Sequence, residues 1–484
     1  MTQDIVKADL IVAHGVIITI DPERRVIDDG AVVIQGDRII AVGDTKEILE
    51  QYTATKILNA HRKAVLPGLI DVHAHAGHAL IRTMGADDGE SWEKICGIAY
   101  TVASDQQFWF AEAQLAATER LRFGVTTGVS LLGGGDTIMR CDDPVYGDAH
   151  CRGVTEVGTE SVVAIGSTRP PHPRIYARWE DGQQTPCLVE FEQQLECCQQ
   201  TIIDWHGANA GQINIALLTP VLRPEHRRDM PVEDYSAACT QTKIVHGLSR
   251  DLDLLFTQDG HTKGSVDIAG ELGILGPRSL FSHSTDLSES EQQRIAATNT
   301  RIAHNPSAIA SIYGRCPVPE MLDLGVTVAI GSDATAPDRS GDMFRHMQQA
   351  MHYHRRHFRD ERILPPGKIL EMVTIDAARA LGLDSEIGSI ETGKKANIIT
   401  VDLSRPHMAP FQMPAYRVVC FANGNDVETV IVGGRVLMKD RIVLSVDEQT
   451  VIENAHQASI KLIERANLKD SLKLPVNFWK ESRF

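Results

Sequence analysis

The chain has 484 residues, 43% of them hydrophobic and 23% charged, which is the make-up of an ordinary globular protein with room for a large catalytic body and a smaller companion. A formal net charge of -16 excludes a nucleic-acid partner, whose phosphates would be repelled, and no apolar run is long enough to span a bilayer. Nine cysteines without a CxxC spacing point to free thiols in a reducing cytoplasm, not to a disulfide framework.

The N-terminal segment does not read as a signal peptide, because Asp4 interrupts its start and His14-Gly15 breaks the apolar stretch from Leu10 to Ile20. Short apolar runs punctuated by Gly and Asp follow, as in hairpins: ADLIVAHGVIITID, GAVVIQGDRIIAVG and TKILNAHRKAVLPG. The same texture returns late, in KKANIITVDL and DVETVIVGGRVLMKDR. Residues 1–66 and 389–446 are therefore expected to form one small β-sandwich built from both ends of the chain.

Between them, over residues 67–388, apolar runs alternate with helical stretches. The runs are Leu69 to His75, Val125 to Ser130, Ser161 to Gly166, Ile213 to Pro220, Thr242 to Gly247, Ser279 to Ser284, Thr300 to Pro306 and Thr327 to Asp333. Such runs suit buried parallel strands, and eight βα units predict a (β/α)₈ TIM barrel in the α/β class. Residues 447–484 are expected to be a helical extension, with Glu448 to Asp470 helical and packed outside.

The strongest local signal is PGLIDVHAHAGH. On an extended chain, residues two apart share a face, so His73 and His75 project together into the barrel mouth. Three more runs end in ligand-type residues: His246 in KIVHG, His283 in LFSHS and Asp333 in VAIGSD. Residues at the C-terminal ends of barrel strands face the active site. One buried histidine is usually a core residue, but four histidines and an aspartate at strand ends together describe a metal centre.

This set, with RIAHNPSA, PVPEMLDLGVTVAIGSDA and the tail IGSIETGKKANIITVDL, resembles the amidohydrolase superfamily over most of the chain. It looks most like the branch of triazine hydrolases and N-heterocycle aminohydrolases. GSDATAPDRSGDMFRHM is similar, more weakly, to phenylurea and molinate hydrolases. The resemblance implies His73, His75, His246 and Asp333 as metal ligands and His283 as the histidine near water and substrate. Asp333 and His283 would then be the catalytic pair. Binuclear relatives often use a carboxylated lysine on the fourth strand, but no lysine occurs between Lys94 and Lys243. One divalent ion per chain is expected, zinc first, with iron, manganese or cobalt compatible.

Aminohydrolases of this branch carry a glutamate three residues after the fifth-strand histidine, to protonate the ring. Counting from His246, that position is Ser249, with Asp251 and Asp253 as substitutes by a loop shift. A serine is a poor acid, so the expected reaction is hydrolysis of an amide, urea or carbamate. Removal of an amino or chloro group from a triazine, pyrimidine or purine is the alternative. Substrate contacts are expected from His283, His304, Ser249, His78 and Trp92, with Tyr100 as a further aromatic. His346, His352, His354 and His357 read as solvated helix surface, because residues two apart on a helix face different ways. The partner is expected to be a small-molecule substrate, with no nucleic acid or membrane, and the assembly a cytoplasmic homo-oligomer.

Overall fold

The computed structural model describes residues 5–86, 88–135, 137–474 and 478–479. Eight parallel strands form the central sheet: β1 (Leu69–Asp71), β2 (Val125–Leu131), β3 (Glu160–Gly166), β4 (Ile213–Leu218), β5 (Phe256–Gln258), β6 (Ser279–Ser282), β7 (Arg301–His304) and β8 (Val328–Ile330). They pair in sequence order from β1 to β8. β2 and β3 are buried at every position, as strands covered on both faces must be. The seam between β8 and β1 has no regular ladder. It is bridged by an isolated parallel pairing of Ala74 with Asp333, where the Asp333 N–H donates to the His73 carbonyl at 2.8 Å. This nearly closed barrel is the expected TIM fold.

The helices that bear on the site are α1 (Gln106–Arg122), α2 (Pro144–Val157), α3 (Val232–Asp251), α4 (Met343–Phe358) and α5 (Glu448–Arg465). Helix α3 corrects the expected fifth strand. The run Thr242 to Gly247 lies inside this 20-residue helix, whose buried residues are Ala238, Thr242, Val245 and Ser249. Those steps of four, three and four residues are a helical stripe, so a short apolar run that looked like a strand is one side of a longer helix. The true fifth strand is the three-residue FTQ.

Both chain ends meet in a nine-stranded sheet. Its first part runs from Val6–Ile18 to Lys63–Pro67 and its second from Ile398–Asp402 to Ile442–Val443. The two parts join where Ile398–Asp402 pairs antiparallel with Lys63–Pro67, Ile399 opposite Leu66. Pro67 leads into β1 after Gly68, so this sheet holds the entry to the barrel. Gly68 is forced: a Cβ there would sit 2.1 Å from the Thr126 hydroxyl oxygen. Helix α5 is tied to the barrel by Ser459 Oγ on the Leu80 carbonyl at 2.8 Å and by Arg465 on Asp105 at 2.7 Å.

One smaller expectation changes. On α4, His346 and His354 are buried, not solvated. The helix is amphipathic and spends those two histidines on its inner face, where the His346 Nε2 meets the Ser340 carbonyl at 2.7 Å and His354 meets His304. All nine cysteines are free thiols, as expected. No helix among the described residues is long and apolar enough to cross a membrane.

Candidate metal centre and substrate cavity

Just past β1 the chain stays extended through His73 and His75, and both rings turn into the barrel mouth, their centroids 5.2 Å apart. The His75 Nδ1 lies 2.9 Å from the Gly133 carbonyl, which leaves Nε2 aimed at the centre. Asp259 follows β5, His283 follows β6 and Asp333 follows β8. His283 and Asp333 both hold positive φ, at 63° and 62°. Left-handed backbone at two non-glycine residues costs on the order of 1 kcal/mol each and is typical of functional sites.

Asp259 is the residue the sequence reading missed, and it lies at the middle of the cluster. Its Oδ1 is 3.3 Å from His73 Nε2 and 2.9 Å from His283 Nε2, and its Oδ2 is 3.5 Å from His75 Nε2. Asp333 Oδ1 faces the same nitrogens, 3.2 Å from His75 and 3.6 Å from His73. One ligand-type atom from each of His73, Asp259, His283 and Asp333 falls within 4.8 Å of the others. Ser282 Oγ donates to Asp259 Oδ1 at 2.7 Å and steadies it. Gly135, at φ +88°, backs the cluster: a Cβ there would strike Asp259 Oδ2 at 2.7 Å.

The charges of these groups are interlocked. Burial opposes a charged His73, but the Asp259 carboxylate and hydrogen bonds to both aspartates outweigh it and raise its pKa to about 10. Burial likewise opposes ionised Asp259 and Asp333, and the surrounding histidines hold both well below the usual carboxylate range. With no ion bound, the protonated His73 is the cation that lets both carboxylates stay ionised. Three imidazole nitrogens and two carboxylates in one spot fit a divalent metal ion, with Asp259 in the place expected of His246.

His246 cannot serve. It is half-buried on α3, its ring edge-on to Phe256 at 5.0 Å, outside the barrel. Ser249 is one turn further on, its hydroxyl donating to the His246 carbonyl at 2.7 Å, and it does not reach the cavity. Asp251 and Asp253 are exposed and pair with Arg250 and Arg278. His246, Ser249 and Asp251 sit in the helix layer because the run that carries them is helical, and Asp253 lies in the turn that follows it. His304 ends β7 but turns toward α4, its Nε2 3.3 Å from that of His354, and it does not line the cavity.

A cavity of about 680 Å³ opens over the centre, lined by His75, Asp259, His283 and Asp333 at its floor. His78 and Trp92 are among its lining residues. His78 stacks on His75 at 4.8 Å, and its Nδ1 is 2.7 Å from the Tyr100 hydroxyl. Burial, then the neighbouring His75, push the His78 pKa well down, so the ring is neutral. Thr262, three residues after Asp259, lines the cavity in the position where Ser249 was expected. Among the described residues the remaining lining carboxylates, Glu93, Glu225 and Asp286, are all exposed.

Residues 243–437 match the model of the amidohydrolase family, and residues 30–54 match an imidazolonepropionase-like composite domain of bacteria. The chain is 30% identical over 466 residues to a 5'-deoxyadenosine deaminase of Methanosarcina mazei, covering 95% of this chain and all of that one. In structure it is similar to a zinc-bound adenosine deaminase of Xanthomonas campestris, with a TM-score of 0.81, 21% identity and coverage of 95% and 100%. It is also similar to a zinc-complexed atrazine chlorohydrolase of Arthrobacter aurescens, with a TM-score of 0.75, 20% identity and coverage of 93% and 100%.

Proposed function

The chain belongs to the amidohydrolase superfamily and is a hydrolase of non-peptide C–N bonds, and from that premise we propose that it cleaves an amide, urea or carbamate with the help of one divalent ion. The observation that carries this reading is Thr262. Counted from Asp259, the residue at the centre, the position expected of the ring-protonating glutamate again holds a hydroxyl side chain. Moving the fifth strand thus removes the argument from Ser249 and restores it at a residue that does line the cavity. Among the described residues the other carboxylates of the lining, Glu93, Glu225 and Asp286, are exposed, so none of these three is a buried acid held ready for a ring nitrogen. A substrate that already has a carbonyl needs none.

In this reading His73, His75, Asp259 and Asp333 hold the ion, with His283 beside them. When bound, the ion supplies Lewis acidity, polarising the scissile carbonyl and making water nucleophilic at neutral pH. Asp333 accepts the proton of the attacking water and delivers it to the leaving nitrogen. His283, oriented by Asp259, steadies the negative charge that develops on the carbonyl oxygen. β4, INIALL, has no lysine to bridge a second ion, which supports a single one, zinc first. We read the protein as a cytoplasmic homo-oligomer acting on small molecules.

A second reading, hydrolytic deamination of an N-heterocycle, is favoured by the relative named a 5'-deoxyadenosine deaminase. The test is a panel assayed with the zinc-loaded protein: aryl amides, ureas and carbamates scored for amine release, and 5'-deoxyadenosine, aminopyrimidines and aminotriazines scored for ammonia. Turnover in the first group alone supports the proposal. Ammonia release with kcat/KM above about 10⁴ M⁻¹s⁻¹, an ordinary enzymatic value, and none from carbonyl substrates would replace it with the second reading.

A further inference from the structure

Three residues of the centre, His73, His75 and Asp333, stand at the one seam of the barrel that lacks a regular ladder. Among the described residues, backbone pairing there is limited to the Val72 N–H on the Ile330 carbonyl at 3.5 Å and the Asp333 N–H on the His73 carbonyl at 2.8 Å, so side chains must help to fix β1 against β8. Asp71, the last residue of β1, is fully buried. Its Oδ1 accepts the His73 N–H at 3.3 Å and the Ser332 N–H at 2.9 Å. Its Oδ2 accepts the Ser332 hydroxyl at 2.6 Å and faces Arg120 Nη2 at 3.5 Å. One carboxylate therefore grips the peptide of His73 on one side of the seam and the residue preceding Asp333 on the other.

The grip is anchored outward. Arg120, on α1, donates from Nη2 to the Val129 carbonyl at 2.6 Å and from Nη1 to Ser130 Oγ at 3.0 Å, so it ties the same carboxylate to β2. Space has been left for it: a Cβ on Gly128 would lie 2.7 Å from the guanidinium carbon. On the inner side, a Cβ on Gly331 would meet the His73 Cβ at 2.7 Å, so β8 and His73 are packed as closely as glycine permits. A charged acceptor with several donors, buried among strands, is stiff and strongly directional.

We propose that Asp71 is a positioning residue, a buried clamp across the β1–β8 seam that sets His73 and Asp333 at ligand spacing. The inference rests on the ligand assignment above. An asparagine at 71 keeps one accepting oxygen but turns an amide N–H₂ toward donors, either Ser332 and Arg120 or the two backbone N–H groups, so one side of the seam loosens.

The test compares Asp71→Asn and Ser332→Ala with the parent protein, reading zinc affinity by chelator competition, kcat and KM separately, and the melting curve. Removing a supporting partner of a metal ligand weakens affinity by about 10- to 100-fold, and that is the result expected for Asp71→Asn, with a smaller loss for Ser332→Ala. kcat should fall in the same order while KM stays within about twofold, since the cavity walls are untouched. A fold stabiliser alone would lower the melting temperature and leave zinc affinity unchanged in the folded protein, and that result overturns the proposal. If Asp71→Asn does not fold, Ser332→Ala decides, and unchanged zinc affinity there overturns it too. His73→Asn is measured alongside. If it keeps zinc, the ligand assignment fails; if it loses zinc while both clamp variants retain it, the clamp alone fails.

Discussion

The two walls of the cavity are built differently. The wall after β1 is fastened: His78 stacks on His75, accepts or donates a hydrogen bond with Tyr100, and packs edge-on to Trp92 at 5.1 Å. Behind it Arg140 is fully buried, donating to the carbonyls of Tyr100, Thr101 and Ala177. The wall after β7 is loose. Ile312 and Tyr313 there are 77% and 83% exposed, and the segment is held by Ser311 Oγ on the Asn305 carbonyl and by the Tyr353 hydroxyl. A fastened wall can hold a reacting group against the metal ligands, whereas a loose one governs entry. Geometry near the chemistry tolerates little error, and entry tolerates much.

Breaking the floor between the walls gives the largest effect. Asp333→Asn keeps the shape but cannot take a proton, so kcat should fall by at least about 10²-fold, and a loss under tenfold would show that another group is the base. Next comes the fastened wall. His78→Ala removes the ring stacked on His75, and a small misplacement of a ligand should lower kcat/KM by on the order of 10²-fold, mostly in kcat. Tyr313→Ala, on the loose wall, should change KM by only a few-fold and leave kcat alone. Equal effects from these two variants would dissolve the distinction between the walls.

The smallest expected effect lies behind the fastened wall, at Glu112 on α1. Burial, opposed by N–H groups of Gly77 and Ala79, raises its pKa to about 7. Its folded pKa is above the unfolded value near 4.5, so the unfolded chain releases the proton first and stability is lost as pH rises from about 4.5 through about 7. Glu112→Gln should therefore gain in melting temperature relative to the parent as pH goes from 5 to 8, by on the order of a degree. A constant difference across that range would show that Glu112 carries no such burden.

The sequence disclosed some of this more readily than the rest. His73 and His75 stood in one contiguous motif on an apolar run, and His283 and Asp333 closed the short runs Ser279 to Ser284 and Thr327 to Asp333, so local pattern was enough to single them out. Asp259 ends a strand of three residues, Phe256, Thr257 and Gln258, two of them polar, and nothing in that composition announces a buried strand. The helix α3 supplied a false one in KIVHG, because so short a run cannot be told from one face of a helix without the periodicity around it. The remaining cue was spacing: Asp259 precedes Gly260 and opens the loop before β6, as Asp333 opens the loop after β8. Tertiary partners, such as His354 against His304, had no local signature at all.

The sheet sewn from both chain ends bears on synthesis at the ribosome. Lys63–Pro67, which delivers β1 into the barrel, has one neighbour in Val6–Ile18 and the other in Ile398–Asp402. During translation the first neighbour is already available, but the second emerges only after the whole barrel has been made. For that interval the edge of Lys63–Pro67 is open, and an open β edge invites pairing with a foreign chain. The nascent protein is thus most exposed to misassembly, and most in need of chaperone cover, just before its last fifth is released.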